Sequence, residues 1–196
     1  MQITGFRPKF RLDGGMPMVI PFIISNTMTL EEGDRTKAVG GAGIEPADAV
    51  TDKSFGYVTS FVTKKHLPLR NAVRGTDYDG TYTPSPDGDT YVSASDNLTD
   101  KQVYAMIALA QDLVVSAKVD ATLGTTTGSN KVGYYLDILT TDSTQLDEDS
   151  ATTSVANFLT IPGRNAASCV DQEDTSRVYC IAAELQTVGD AVAQTT

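Results

Sequence analysis

The sequence predicts a mainly β protein, a compact antiparallel β-barrel or sandwich with an extended N-terminal arm and long polar loops. Three observations support this fold class. Several short runs alternate apolar and polar residues, which is the two-residue period of a half-buried strand. Thr, Ser, Gly, Asp and Val are plentiful, a composition that suits strands and turns. A chain of 196 residues, 40% of them hydrophobic, is long enough to bury a core.

Residues 1–28 are predicted to form the extended N-terminal arm. Pro17 and Pro21 disfavour a helix and an interior strand there. Two interpretations stay open: a first edge strand folded onto the body, and an arm that docks on a neighbouring subunit. Basic and aromatic residues alternate along the arm, and the predicted partner-contacting residues are Phe6, Arg7, Lys9, Phe10 and Arg11.

Residues 29–70 are predicted to form a small β unit, and its clearest strand spans residues 54–62. Within that strand Phe55, Tyr57 and Phe61 share one face by the two-residue period. Aromatic side chains bury a large apolar area, so we expect this face to pack inward.

Residues 71–101 are polar and rich in turn-forming residues, and they are predicted to form a protruding loop or hairpin. Asp79-Gly80 is flanked by Tyr78 and Tyr82, an arrangement typical of a tight hairpin turn. The hairpin turn is therefore predicted at Asp79-Gly80.

Residues 102–190 are predicted to form the main β-barrel or sandwich, and residues 191–196 a frayed tail. A capping-box pattern at 99–102 and helical spacing make a short helix a competitor over residues 103–109, but a strand is favoured. The other predicted strands span residues 113–119, 132–140, 155–161 and 177–185, with a turn at 124–130 and a polar segment at 141–154.

The formal net charge is −10, and its distribution is uneven. Residues 1–12 carry three cations and no acid, so the rest of the chain carries −13, which is −10 minus +3. Such an acidic surface argues against nucleic acid as the main partner. The sequence shows no secretory signal and no apolar run that spans a bilayer, so we expect a soluble protein made in a cytoplasm, without a membrane partner.

The residues that could carry chemistry do not form a recognisable catalytic set. His66 is the only histidine, so a multi-histidine metal site cannot be built. A solvated loop residue is favoured over a member of a catalytic triad. Cys169 and Cys180 would lie opposite each other in a hairpin that turns at Asp174-Thr175. Folding in a cytoplasm favours two reduced, partly buried thiols over a disulfide.

Four carboxylates form an acidic cluster, Asp142, Asp147, Glu148 and Asp149, that could bind Ca²⁺ with loop carbonyls. The cluster lacks the alternating ligand spacing and central glycine of an EF-hand loop, so a solvated acidic surface is favoured. We therefore predict no catalytic residue, no metal site and no cofactor, and we expect that the protein is not an enzyme.

The order of segments carries a family resemblance. The chain contains TLEEGD and KSFGYVTSFV, and from residue 112 it runs through DLVVSAKVD, TLGTTTGSNKVGYYLDIL, NFLTIPGRN and RVYCIAAEL. Over roughly half to two-thirds of the chain, this pattern resembles the capsid decoration proteins of tailed bacteriophages, also called head-stabilising or minor capsid proteins. The resemblance implies a barrel-like β domain and a non-enzymatic virion protein, made in the host cytoplasm, that braces joints between major capsid subunits.

The resemblance also implies a location and an assembly state. The protein would lie on the capsid exterior, its N-terminal arm would contact the major capsid protein, and it would be a homotrimer. The alternative function is a carbohydrate-binding β-domain on a virion surface. In that case the side chains of Tyr78, Tyr82 and Tyr91 would stack on sugar rings.

Overall fold

A computed structural model describes residues 5–120, 132–152, 157–163, 168–171 and 173–186, with the backbone alone at 148–152. Within these ranges the chain forms fourteen β-strands, a single-turn 3₁₀ helix at Leu69–Asn71 and no α-helix, which confirms the mainly β class. The strands are β1 (Arg7–Arg11), β2 (Val19–Ile23), β3 (Thr29–Glu31), β4 (Arg35–Val39), β5 (Gly43–Pro46), β6 (Gly56–Thr63), β7 (Thr81–Thr83), β8 (Thr90–Val92), β9 (Val103–Leu109), β10 (Leu113–Val119), β11 (Tyr135–Leu139), β12 (Asp142–Thr152), β13 (Phe158–Thr160) and β14 (Arg177–Ala182). The predicted turn at 124–130 and tail at 191–196 lie outside the described residues.

The first sheet contains a closed ring of five strands. The order is β10–β12–β11–β13–β14, and β14 pairs back onto β10. The ring is antiparallel except for the short β10–β12 pair, which is parallel. β1 adds to β10 as a sixth strand. Closure removes the free edges of the ring, and its inward side chains, such as Leu136 and Ile138, form the first hydrophobic core.

Most of the polar segment at 141–154, for which no strand was predicted, is the long strand β12. β12 pairs with β11 on one side and with β10 on the other. Its inward-facing Leu146 is completely buried in the first core. A polar composition can still form a strand where an apolar residue such as Leu146 packs in the core.

The second sheet has the order β2–β9–β6–β4–β5. Its two outer strands also meet, because Ile24 forms a parallel bridge with Ile44 and the N–H of Ser25 donates to the Ile44 carbonyl at 3.0 Å. Gly43 makes this contact possible: its φ is +92°, and a Cβ there would lie 2.6 Å from the carbonyl oxygen of Ile23. Strands β3, β8 and β7 form a third, smaller sheet.

The strand prediction over residues 103–109 is confirmed, but its place in the fold differs from the expected division into units. β9 lies between β2 and β6, so it belongs to the second sheet and not with β10. The predicted boundary between a unit at 29–70 and a barrel at 102–190 is therefore wrong. Pairing on both sides decides this strand, and it overrides the local helical spacing.

The predicted single aromatic face of β6 is also wrong. Val58 lies opposite Ile107 but Ser60 lies opposite Met106, so the pairing register shifts at Thr59. A bulge of this kind reverses the faces of the residues that follow it. As a result Tyr57 packs in the first core and Phe61 packs in the second.

Residues 71–101 form a hairpin of β7 and β8, but its loop spans residues 84–89 and not Asp79-Gly80. The Asp79-Gly80 turn instead leads into β7. The hairpin does not protrude, because β8 also pairs with β3 and the adjoining Tyr78 and Tyr91 are buried in the second core.

The turn after β3 links the two cores. The N–H of Phe6 donates to the Gly33 carbonyl at 2.8 Å, and the N–H of Gly33 donates to the Val58 carbonyl at 2.8 Å. The N–H of Val58 in turn donates to the Asp34 carbonyl at 3.0 Å. Burial raises the pKa of the Asp34 carboxyl to about 7, although the N–H of Glu31 donates to it at 2.7 Å and opposes the shift. The turn therefore joins β6 to the segment before β1.

We expect the Asp34→Asn variant to be more stable than the parent protein at about pH 8 and to lose this advantage near pH 4. A carboxyl with a pKa of about 7 when folded and 3.8 as its ordinary value contributes stability that is complete below pH 3.8 and lost as the pH rises through 7. Asparagine keeps an acceptor for Glu31 and does not ionise. Urea unfolding at both pH values should show a difference on the order of 1–2 kcal/mol, and an advantage independent of pH would contradict the assignment.

Candidate functional site

The predicted contact residue Phe6 is not available to a partner. Its side chain is 0% exposed. Its ring stacks on Phe158 with centroids 4.9 Å apart and tilts against Tyr57 at 5.3 Å. Phe6 therefore belongs to the first core, and the prediction that it binds a partner is wrong.

The basic residues of β1 are engaged within the chain. The Lys9 ammonium lies 2.9 Å from the Glu173 carboxylate and 3.2 Å from that of Asp171. The predicted contact residues Arg7 and Arg11 lie 3.5 Å from the carboxylates of Asp174 and Asp13, and Phe10 is half-buried with its ring 6.4 Å from that of Tyr179. Residues 7–11 thus form a folded edge strand, the first of the two interpretations.

A buried polar network holds this edge strand to the ring. The Arg177 Nη2 donates to the Ser116 carbonyl at 2.5 Å and to the Gly5 carbonyl, and its Nε donates to Ser116 Oγ at 3.1 Å. Burial lowers the pKa of Arg177 to about 10. Burial alone would raise the pKa of Asp171, but hydrogen bonds from Ser116 Oγ at 2.5 Å and Tyr179 Oη at 2.9 Å hold it below its ordinary value. The alternation in β10 predicts a strand that is buried on one face only. In the structure both faces are largely buried, and the network accounts for the burial of the polar residue Ser116.

The exposed apolar surface of the arm lies beyond β1, in residues 12–19, which we call the apolar tip. Leu12 is 54% exposed, Met16 85%, Met18 53% and Val19 38%. Among the described residues these are four of the seven large hydrophobic side chains that are exposed. The apolar tip joins β1 in the first sheet to β2 in the second, so it crosses between the two sheets.

Backbone hydrogen bonds fix the base of the apolar tip. The N–H of Leu12 donates to the Asp112 carbonyl at 2.8 Å, and the Met18 carbonyl accepts from the N–H of Leu109 at 3.0 Å. A cleft of about 130 Å³ opens beside the tip, lined by Arg11, Met18, Leu109, Gln111 and Asp112. The tip is therefore an anchored projection with a side-chain-sized cleft next to it.

The tyrosines predicted to stack on sugars do not form an open platform. Tyr91 is 0% exposed and Tyr78 is 6% exposed, with ring centroids 6.2 Å apart. Tyr82 is half-buried, and its hydroxyl donates to the Asp89 carboxylate. Burial and this hydrogen bond raise the pKa of Tyr82 to about 12. The stacking role is wrong for Tyr78 and Tyr91, because both fill the second core.

The two cysteines are not opposite each other. Val170 lies opposite Val178, and the N–H of Tyr179 donates to the Cys169 carbonyl at 2.7 Å, so the hairpin register is one residue away from the predicted one. Both thiols are fully buried and not partly buried as expected, and burial raises the pKa of Cys180. Cys180 is therefore poorly placed to act as a nucleophile.

The remaining candidates do not converge on a site. His66 is exposed in the turn after β6, as predicted for a solvated residue. Asp142 lies at the start of β12, where its carboxylate accepts hydrogen bonds from Thr144 Oγ1 at 2.6 Å and from Gln145. Within the described part of the chain, no group of three or more His, Cys, Asp and Glu side chains could hold a metal ion.

The apolar tip was not predicted from the sequence, although a signal is present there. Residues 14–30 carry no charged side chain, in a chain whose net charge is −10. The apolar run at 16–24 is too short to cross a membrane. The residue pattern of the run does not assign it another role. Whether such a run is buried depends on what packs against it, and only the fold shows that Met16 and Met18 are uncovered.

Fold and site together define an all-β protein with two linked cores and an exposed apolar projection. No protein family model, no curated protein and no solved structure matches the chain. Among the described residues, no helix is long and apolar enough to cross a membrane.

Proposed function

We propose that the protein is a structural virion protein that binds the outer surface of an assembled phage capsid and stabilises contacts between major capsid subunits. The observation that carries this proposal is the apolar tip, which exposes four large hydrophobic side chains on an acidic protein. Contiguous exposed apolar residues are typical of protein–protein contact sites. The segment-order resemblance to capsid decoration proteins supports the choice of partner.

The energetics suit repeated attachment to a symmetric surface. Fully burying one large apolar side chain contributes about 1.5–3 kcal/mol, so one tip gives a modest affinity after the entropic cost of association. Several tips held in one assembly would bind with avidity far above that of a single tip. A homotrimer on the capsid exterior is therefore part of the proposal.

A test by truncation would not be informative. Removing residues 1–12 would delete Phe6 from the first core and β1 from β10. It would also remove the Gly5 carbonyl that accepts from Arg177. Substitutions in the apolar tip are more selective, because the side chains of Met16 and Met18 are mostly in solvent.

We expect the double variant Met16→Asp, Met18→Asp to bind purified capsids about 100-fold more weakly than the parent protein, since two contact side chains become charged. Co-sedimentation with capsids over a range of protein concentrations measures the effect. Val73→Asp is the control, because Val73 is 60% exposed at another site and also becomes charged, although it adds one negative charge where the double variant adds two. Both variants should keep the unfolding midpoint of the parent protein. Equal capsid binding by the double variant and the control would contradict attachment through the tip.

A further inference from the structure

The edge of β2 that faces away from β9 is poorly suited to pairing with a strand of another protein, and its C-terminal end already meets β5 at the Ile24–Ile44 bridge. Met18 and Ile24 exchange backbone hydrogen bonds with β9, so alternate residues between them also face β9 and the others face outward. Val19, Pro21 and Ile23 are the outward-facing residues. Pro21 has no N–H, and its ring lies at the centre of this edge. A partner strand added here would lose a hydrogen bond at its middle position.

The side chains of the apolar tip are better suited to contact than its backbone. Met16 and Met18 are unbranched and flexible, so they can fill an irregular apolar groove. The cleft of about 130 Å³ beside Met18 and Leu109 offers a complementary recess for an apolar side chain of the partner. Projection and recess lie together, which indicates interlocking side chains.

The charge of the protein restricts the partner surface. The net charge is −10, and the cations of β1 lie within 3.5 Å of carboxylates of the same chain. Next to the apolar tip, Arg11 is paired with Asp13, and Asp112 lines the cleft. Arg11, Asp13 and Asp112 together therefore carry a net charge of −1 beside the tip. An acidic partner would be repelled, whereas a basic rim would be complementary.

We propose that the apolar tip docks through its side chains into an apolar groove that is bordered by basic residues on a protein surface, and not by strand addition to β2. This inference rests on the proposed function for the identity of the partner, the major capsid protein. The chemistry of the groove follows from Met16, Met18, Pro21 and Asp112 of this chain.

Binding to purified capsids tests both parts. Raising NaCl from about 50 to about 500 mM should weaken binding at least fivefold, and Asp112→Asn should weaken it about threefold at the lower salt. Asparagine tolerates the φ of +56° at this position. Pro21→Val restores an outward N–H and should leave the affinity unchanged. Binding that salt strengthens, or a tenfold gain from Pro21→Val, would overturn the proposal.

A second assay separates this inference from the choice of capsid as partner. Hexylamine-agarose presents an apolar chain with a cation, and hexyl-agarose presents the chain alone. The full chain should be retained more strongly on hexylamine-agarose, and Met16→Ser with Met18→Ser should reduce that retention while Val73→Ser does not. If this holds but capsids are not bound, the capsid proposal is wrong and the groove chemistry stands. If the serine double variant is retained like the Val73→Ser control, the groove chemistry is wrong.

Discussion

Replacing Arg177 with alanine is expected to lower the free energy of unfolding by about 3–5 kcal/mol. Arg177 is 1% exposed, and its guanidinium donates to the carbonyls of Gly5 and Ser116. Its removal takes this donor from both buried carbonyls and leaves Lys9, 3.2 Å from the fully buried Asp171 carboxylate, as the remaining neighbouring cation. Domains of this size have total stabilities of about 5–15 kcal/mol, so the loss is a large part of the whole.

Urea unfolding followed by circular dichroism measures this effect. Arg74→Ala is the control, because Arg74 is exposed and its loss should change the free energy by less than about 0.5 kcal/mol. Arg177→Lys keeps the charge but not the forked geometry, so it should fall between the two and remain measurable if the alanine variant does not fold. An Arg177→Ala protein as stable as the Arg74→Ala control would show that the network does not hold β1 to the ring.

The substitution Gly80→Ala is expected to lower the free energy of unfolding by about 2–4 kcal/mol. Gly80 has a φ of +89°, and a Cβ there would lie 2.3 Å from the Val92 carbonyl oxygen and 2.8 Å from the Tyr91 hydroxyl. That hydroxyl donates to the Asp79 carbonyl at 2.6 Å, inside the second core. An added methyl group must therefore displace the backbone of β8.

Gly75→Ala is a matched control for this prediction. Gly75 has a φ of +82°, but a Cβ there would have no neighbour within 4 Å. The control therefore reports the conformational cost alone, about 1 kcal/mol. Thermal unfolding of both variants gives the comparison. Equal destabilisation of the two variants would mean that the positive φ is the only constraint at Gly80. The close approach of β8 would then contribute nothing to the loss of stability.

These two variants also separate scaffold from contact surface. Arg177 and Gly80 lie away from the apolar tip, so their substitution should reduce capsid binding only as far as it unfolds the protein. The charged tip variants at Met16 and Met18 should do the opposite, with binding lost and stability kept. Measuring both properties for all variants would show whether the exposed side chains act independently of the fold beneath them.

The sequence by itself determined the fold class and the location of six of the fourteen described strands, namely β6, β9, β10, β11, β13 and β14. Alternation of apolar and polar residues is a local property; it predicted the strand at 113–119 and a strand over 132–140, within which β11 spans Tyr135–Leu139. With His66 as the only histidine, composition alone excludes multi-histidine chemistry. Within the N-terminal 28 residues the sequence indicated contact residues at 6–11, whereas the contact surface that we propose lies at 12–19.

Only the tertiary structure decided which strands pair and which apolar residues are covered. Gly5 and Arg177 are 172 positions apart, and their contact holds to the ring the segment that the sequence left open between a folded edge strand and a docking arm. The same packing covers Tyr78 and Tyr91 and leaves Met16 exposed. Burial depends on the surface that meets a side chain, and that surface comes from residues distant in the chain. A local pattern therefore predicts a strand, but not which of its residues a partner can reach.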